Sequence, residues 1–185
     1  MKGYNITFIT GNQGKVKYLS DYFHIPVAHA KLDLREIQSL NLREIVEDKA
    51  RQAFALFKKP VLVEDASLIF KDMNGLPGPM IKWFLEALGN KGLCRLVDSF
   101  SSREARAEVM FALCDKQGLN VFSGNIIKGS IAKKPRGRAG FGWDPIFIPK
   151  GHAKTWAEMS GEEKHQTSMR KIALNKMKRF LKNLT

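Results

Sequence analysis

E-A-R-A-E-V-M-F-A-L-C at 104–114, followed by V-F-S-G-N-I-I-K-G-S-I-A at 121–132, decides the fold class. Both runs are strand-like, and the turn near Gln117-Gly118 is short enough to fold the second back on the first as a long antiparallel hairpin. A hairpin of that length excludes a purely parallel sheet. Helices and strands mix on either side of it. Tyr4 to Thr10 reads as a strand ending at Gly11-Asn12, and Val16, Leu19 and Phe23 give a short amphipathic helix. Asn41-Leu-Arg-Glu44 has a capping-box pattern, and Leu42, Ile45, Val46, Ala50, Ala53, Phe54 and Phe57 continue it as an apolar stripe. Pro60-Val-Leu-Val63 is a short buried strand leading into Glu64-Asp65, and Ser67 to Met73 reads as another. Helices are expected over about 80–88 and 92–100, and Ile146-Phe147-Ile148 as a strand. Ser160-Gly-Glu-Glu163 caps a short helix. A C-terminal helix carries Met169, Ile172, Ala173, Met177, Phe180, Leu181 and Leu184 on one side. The class is α/β (α+β) around a mixed sheet, a single domain over 1–185.

Composition narrows the function. With 31 Lys and Arg against 18 Asp and Glu, the chain carries a formal charge of +13. That excess favours an anionic partner and names none. The two cysteines, Cys94 and Cys114, stand apart with no Cys-x-x-Cys or Cys/His cluster, so they read as small core residues in a reducing compartment rather than zinc ligands. Met-Lys-Gly leads directly into a strand and no apolar run reaches membrane-spanning length, so the expectation is a cytoplasmic protein without a signal peptide.

Four groups of residues carry chemistry. T-G-N-Q-G-K at 10–15 lies between a strand and a helix, where backbone N–H groups hold anions and Lys15 can neutralise a phosphate. The pattern lacks Walker spacing, and alone it reads somewhat more readily as a glycine turn with a solvated lysine. Lys49 falls on the apolar stripe of its helix, so it must snorkel, pair with an acid or reach into a site. Glu64-Asp65 follow a buried strand, and Glu36 sits in a stretch with no helical stripe. Carboxylates so placed suit a hard cation such as Mg²⁺, which shares its shell with water and phosphate. F-G-W-D-P at 141–145 follows a basic, glycine-rich loop, where aromatic rings can meet a nucleobase and Lys and Arg its phosphates.

The chain resembles the inosine triphosphate pyrophosphatase family. The resemblance rests on T-G-N-Q-G-K at 10–15, E-I-Q at 36–38, V-E-D at 63–65, N-G-L-P-G-P-M-I-K-W-F at 74–84, F-G-W-D-P at 141–145, A-E-M at 157–159, and E-K with S-M-R at 163–170, in the family's order from about residue 5 to the end. It implies a long mixed sheet with flanking helices forming two lobes around a central cleft, usually as a homodimer. It also implies Mg²⁺-dependent hydrolysis of ITP, dITP and XTP to monophosphate and pyrophosphate. By resemblance, Thr10, Gly11, Asn12, Gln13, Gly14 and Lys15 hold the triphosphate with Lys49 and Lys82. Glu36 and Asp65 hold Mg²⁺, Asp65 also being the base. Phe141, Gly142, Trp143, Asp144, Lys164, Met169 and Arg170 read the purine. Membrane and nucleic-acid partners are not expected.

Two departures matter. The family's acid three residues after the loop lysine is Tyr18 here, with Asp21, one helical turn on, as the residue to compensate. The family's Ser-His-Arg reads Ser168-Met169-Arg170. A thioether has no N–H to donate, so Met169 either lines the pocket without donating or belongs to the core. The alternatives carried forward are the same chemistry with altered base preference, and a catalytically silent nucleotide- or nucleic-acid-binding module.

Overall fold

The structure, a computed structural model, describes residues 5–183; Tyr4 and Leu184, assigned above to a strand and a helix, lie outside them. The elements in chain order are β1 Thr7–Ile9, α1 Gln13–Phe23, β2 His29–Ala30, α2 Leu42–Phe57, β3 Val61–Phe70, β4 Pro77–Gly78, α3 Ile81–Leu96, β5 Glu104–Asp115, β6 Gly118–Ser123, β7 Ile127–Ile131, β8 Phe147–Pro149, α4 Gly161–Thr167 and α5 Arg170–Lys182. The sheet is mixed, as the hairpin required, in the order β2-β1-β3-β5-β7-β8, with β4 on β3 and β6 on β5.

The chain divides into two compact units, each built from discontinuous segments. The first comprises the chain up to Asp65, Met110–Ser123 and everything from Ile172; the second comprises Ala66–Val109 and Gly124–Lys171. β3 and β5 each contribute residues to both.

In the first unit β1 runs parallel to both β2 and β3, with Phe8 opposite His29 and Leu62. Its core is Ile9, Val46, Ala50, Ala53, Val61, Val63, Ala112 and Cys114. Small residues at Ala50 and Ala53, both fully buried, bring the axis of α2 close to the strands. The C-terminal helix belongs here too. Phe180 packs on Phe122 with centroids 5.5 Å apart, and the Tyr22 hydroxyl of α1 donates to Asn175 of α5 at 2.6 Å.

The second unit is organised by the first half of β5 pairing with β7 and by β7 pairing with β8, both antiparallel. Arg103 fastens its helical part to the strands, donating to the carbonyls of Cys94, Ile131 and Ala132 and pairing with Asp98. α3 is two helical segments in one, as the expected pair of helices implied. They meet at Gly89, whose φ 61 and ψ 174 lie outside the helical region. Cys94 and Cys114 are both buried free thiols.

Two expectations are revised. The two short strands expected before and after Glu64-Asp65 are one ten-residue strand, Val61–Phe70, with the two acids in its middle rather than at its end, and Lys71–Met73 is a 3-10 turn beyond it. The second arm of the hairpin divides into β6 and β7 around Gly124, where a side chain would meet the Met169 carbonyl oxygen at 2.2 Å.

Gly129 fixes the approach of β8 to β7. A Cβ there would stand 2.3 Å from the Ile148 carbonyl oxygen and 2.7 Å from the Phe147 ring. We expect Gly129→Ala to destabilise the protein by about 1–3 kcal/mol, the usual cost of overpacking, read as a lowered midpoint in denaturant. Unchanged stability would mean β8 is free to shift.

Candidate active site

The first unit assembles the predicted phosphate loop and the acids. Thr10 follows β1, and its hydroxyl accepts from the Asn12 N–H at 3.1 Å. Asn12 caps α1, its side chain accepting from the Lys15 N–H at 3.2 Å. Gly11, Asn12 and Gln13 are exposed, and α1 has no acidic residue in its first turn. The positive end of the helix dipole is therefore left for an external anion.

β3 shows why the acids lie where they do. Its residues are buried on both faces except at Asp65 and Ala66, which form the one partly exposed window in the strand. Glu64 is inside, its side chain 0% exposed, and Lys15 reaches it at 3.3 Å while also donating to its carbonyl at 3.1 Å. A buried carboxylate costs several kcal/mol unless it is paired, so this contact anchors the Lys15 side chain at the sheet. The sequence reading named Glu64 beside Asp65 but gave it no role with Lys15. The signal for it was an acid inside an otherwise apolar strand.

Asp65 opens to the partly exposed side. Lys49 of α2 pairs with its carboxylate at 2.7 Å and with Glu36 at 2.8 Å. Glu36 lies outside any helix or strand, and α2 holds its neighbour in place. Gln52, one turn after Lys49, accepts from the Arg35 N–H at 3.2 Å and donates to the Arg35 carbonyl at 2.9 Å. Sequence reasoning missed Gln52, although its i+3 spacing from Lys49 puts both on one helix face. Among the described residues no group of three or more His, Cys, Asp or Glu could hold a metal by itself. Glu36 and Asp65, held side by side by the Lys49 ammonium, are the available pair.

Asp21 does not compensate for Tyr18. It pairs with Lys17 at 3.0 Å on the solvent face of α1, with both side chains well exposed. Glu64 is the carboxylate that meets Lys15.

The second unit gathers the residues predicted to read the base. Asp144 is buried, accepts from the Phe141 N–H at 2.7 Å and pairs with Lys164. The chain passes so close to this carboxylate that a Cβ on Gly140 (φ 78) would lie 2.1 Å from Asp144 Oδ2, so only glycine fits there. The Phe141 ring has the Lys164 ammonium 5.3 Å and the Arg170 guanidinium 5.2 Å from its centroid. Asn90, just past the break in α3, donates to the Gly142 carbonyl at 3.0 Å.

Three further residues stand differently. Trp143 is 9% exposed, and its ring packs against Phe147 and Trp156 at 5.8 and 5.5 Å. It anchors the loop to the core rather than offering a face to a base. Met169 is 1% exposed, which favours its core reading. Lys82 is exposed at the start of α3, its ammonium 4.9 Å over the ring of Trp83.

The sequence matches the Ham1 family over residues 6–180, and the chain belongs to that family. It is 42% identical to inosine triphosphate pyrophosphatase 2 of Trypanosoma cruzi over 178 residues, covering 95% of this chain and 91% of that one. It is 42% identical to the inosine triphosphate pyrophosphatase of Schizosaccharomyces pombe, covering 97% and 96%. The dITP/XTP pyrophosphatase of Methanopyrus kandleri is 38% identical, with 96% of each chain covered. Among solved structures, a HAM1 protein from Coxiella burnetii superposes with a TM-score of 0.81 at 25% identity, covering 96% of this chain and 98% of that one.

The Lys49 ammonium is tuned by opposing effects. Burial lowers its pKa, but the Asp65 charge and hydrogen bonds to Asp65 and Glu36 outweigh burial and raise it above the ordinary 10.5. A raised lysine pKa gives stability that is fully present below the ordinary value and lost as pH climbs through the folded one. Lys49→Met should therefore cost on the order of 2 kcal/mol, by the same amount at pH 7 as at pH 9. The gap should close only in strongly alkaline solution. Denaturant unfolding of both proteins across that range tests it, and a gap that closes near neutrality would contradict the charged pair.

Proposed function

We propose that the chain is a Mg²⁺-dependent nucleoside triphosphate pyrophosphatase that removes ITP, dITP and XTP, releasing nucleoside monophosphate and pyrophosphate. The observation that carries this reading is that Glu36 and Asp65 meet at the Lys49 ammonium, at 2.8 and 2.7 Å, in the unit that also holds the T-G-N-Q-G-K loop. A binding-only protein has no need of two carboxylates aimed at one point beside an anion loop. The names of the relatives support the substrate class.

Glu36 and Asp65 fit Mg²⁺, which takes one or two carboxylates and completes its shell with water and phosphate. When bound, the ion draws off negative charge on the phosphate oxygens. The chain's own residues do the rest. The exposed amides at the start of α1 bind phosphate oxygens, and Lys15, anchored by Glu64, sets a positive charge beside them. Lys49 holds Asp65 and Glu36 in fixed orientation, and Lys82 adds a cation for phosphate. Asp65 orients the attacking water and takes its proton as the oxygen bonds to the α-phosphorus. The bond from that phosphorus to the bridging oxygen breaks, and pyrophosphate leaves with the electron pair.

Base choice rests on donors. Arg170 has only N–H groups, which satisfy the O6 acceptor of hypoxanthine or xanthine and cannot satisfy the amino group of adenine. A mismatch leaves a buried donor unpaired, at about 1–3 kcal/mol per group. Phe141, flanked by Lys164 and Arg170, supplies the ring for stacking. We further infer a cytoplasmic homodimer. Trp83, 57% exposed on α3, is the kind of apolar surface that a second copy covers, and sedimentation would report it.

Pyrophosphate release measured over ITP, XTP, dITP, GTP and ATP tests the reading. Asp65→Asn should lower kcat at least a hundredfold, with folding intact and much of the nucleotide binding retained. Near-normal turnover would remove Asp65 from the mechanism.

Met169→His separates pocket from core. With Met169 buried, a polar ring replaces an apolar side chain. The expected result is a lower melting temperature with the ITP to ATP ratio of kcat/KM unchanged. A raised ratio would instead place this position in the base pocket and make altered base preference the better account.

A further inference from the structure

In the second unit, β5 and β7 expose charged residues on one face of the sheet. Along β5, Ala105 and Ala107 are buried while Glu104 and Arg106 are exposed, so the even-numbered residues point outward, as strand alternation requires. Arg106 lies directly opposite Lys128 of β7. Gly129 lies opposite Pro149 of β8, and the Lys150 N–H donates to the Lys128 carbonyl at 2.9 Å, so Lys150 stands beside Lys128 in turn. Three cations, on β5, on β7 and just past the end of β8, thus form one row, about 10 Å long at ordinary strand spacing.

Like charges opposite one another destabilise a sheet, and the countercharges nearby are few. Glu108 pairs with Arg106 at 2.9 Å and Glu104 with Lys71 at 3.1 Å. Lys128 and Lys150 have no carboxylate within ion-pair distance among the described residues. The row lines a groove of about 880 Å³ together with Lys71 and Ser130, and no Phe, Tyr or Trp lines it.

We propose that this groove is a second anion site, separate from the substrate-binding residues, that takes a bare inorganic polyphosphate chain. The charge is complementary, and the row matches a linear repeat of anionic groups. His152 is the one aromatic ring in the lining, so the groove lacks the succession of rings on which the bases of single-stranded nucleic acid stack.

The test is calorimetric titration of the whole protein with a short inorganic polyphosphate, in the absence of divalent ions so that nothing turns over. Binding should persist in Lys15→Ala, weaken steeply with added salt, and fall at least tenfold in Lys128→Glu/Lys150→Glu. That variant should keep its melting temperature and its ITP kcat/KM within twofold. Should the charge reversal disturb folding, Lys128→Ala/Lys150→Ala should still lower affinity severalfold. Four results would each overturn the proposal. These are undiminished affinity in both double variants, loss of binding in Lys15→Ala alone, a change of sedimenting mass in the double variant, and equal binding of a single-stranded oligonucleotide of the same charge. The third would make the face an interface between copies of this chain.

Discussion

Two carboxylates in the middle of a strand buried on both faces make a demand that the rest of the first unit answers. Glu64 has no exposed side-chain surface and Asp65 little, so each needs a cation delivered through the fold. α1 brings Lys15 to one and α2 brings Lys49 to the other. The same two ion pairs fix the start of α1 against the sheet and orient α2, so the phosphate loop and the acids are held by one arrangement. Glu36 is recruited by the second cation, with Gln52 clamping the extended backbone beside it. Preorganisation follows from this electrostatic necessity, because a site whose charges already satisfy one another has little to reorganise when substrate arrives.

The second unit solves a different problem, holding an irregular loop still. Asp144 does so from the inside. Its carboxylate accepts the Phe141 N–H and pairs with Lys164, while Trp143 locks into the ring cluster with Phe147 and Trp156. Neighbouring residues of F-G-W-D therefore divide the labour, with Phe141 presented and Trp143 and Asp144 holding it there. The Asn90 bond to Gly142 adds a tether from α3.

Much of this was legible in the sequence, and the failures have physical causes. The hairpin read correctly because strand period and turn both act locally, and the Ser160 capping box formed with both its halves. The acids at 64–65 were taken for a strand end because charged residues ordinarily mark one. Only the lysines from distant helices make them tolerable inside a strand, and no local pattern reveals that. Asp21 read as compensation by proximity in sequence, yet an i, i+4 partner at Lys17 claimed it on the solvent face. Trp143 matched a motif whose residue types do not say which rings face inward. Glu64 acts through a long-range ion pair that its V-E-D motif does not reveal, and Gln52 acts through side-chain bonds to backbone that leave no motif.

The division of the chain into interleaved segments bears on how the molecule is made. Everything belonging to the second unit lies between Ala66 and Lys171, whereas the first unit is finished only when the segment from Ile172 onward joins it. Domains usually mature from the N-terminus as they leave the ribosome. Here the order is inverted. The first unit must wait for α5 to be translated, and its phosphate loop and acids are held until then by an incomplete core. Premature termination just before α5 would thus damage the part of the protein encoded first.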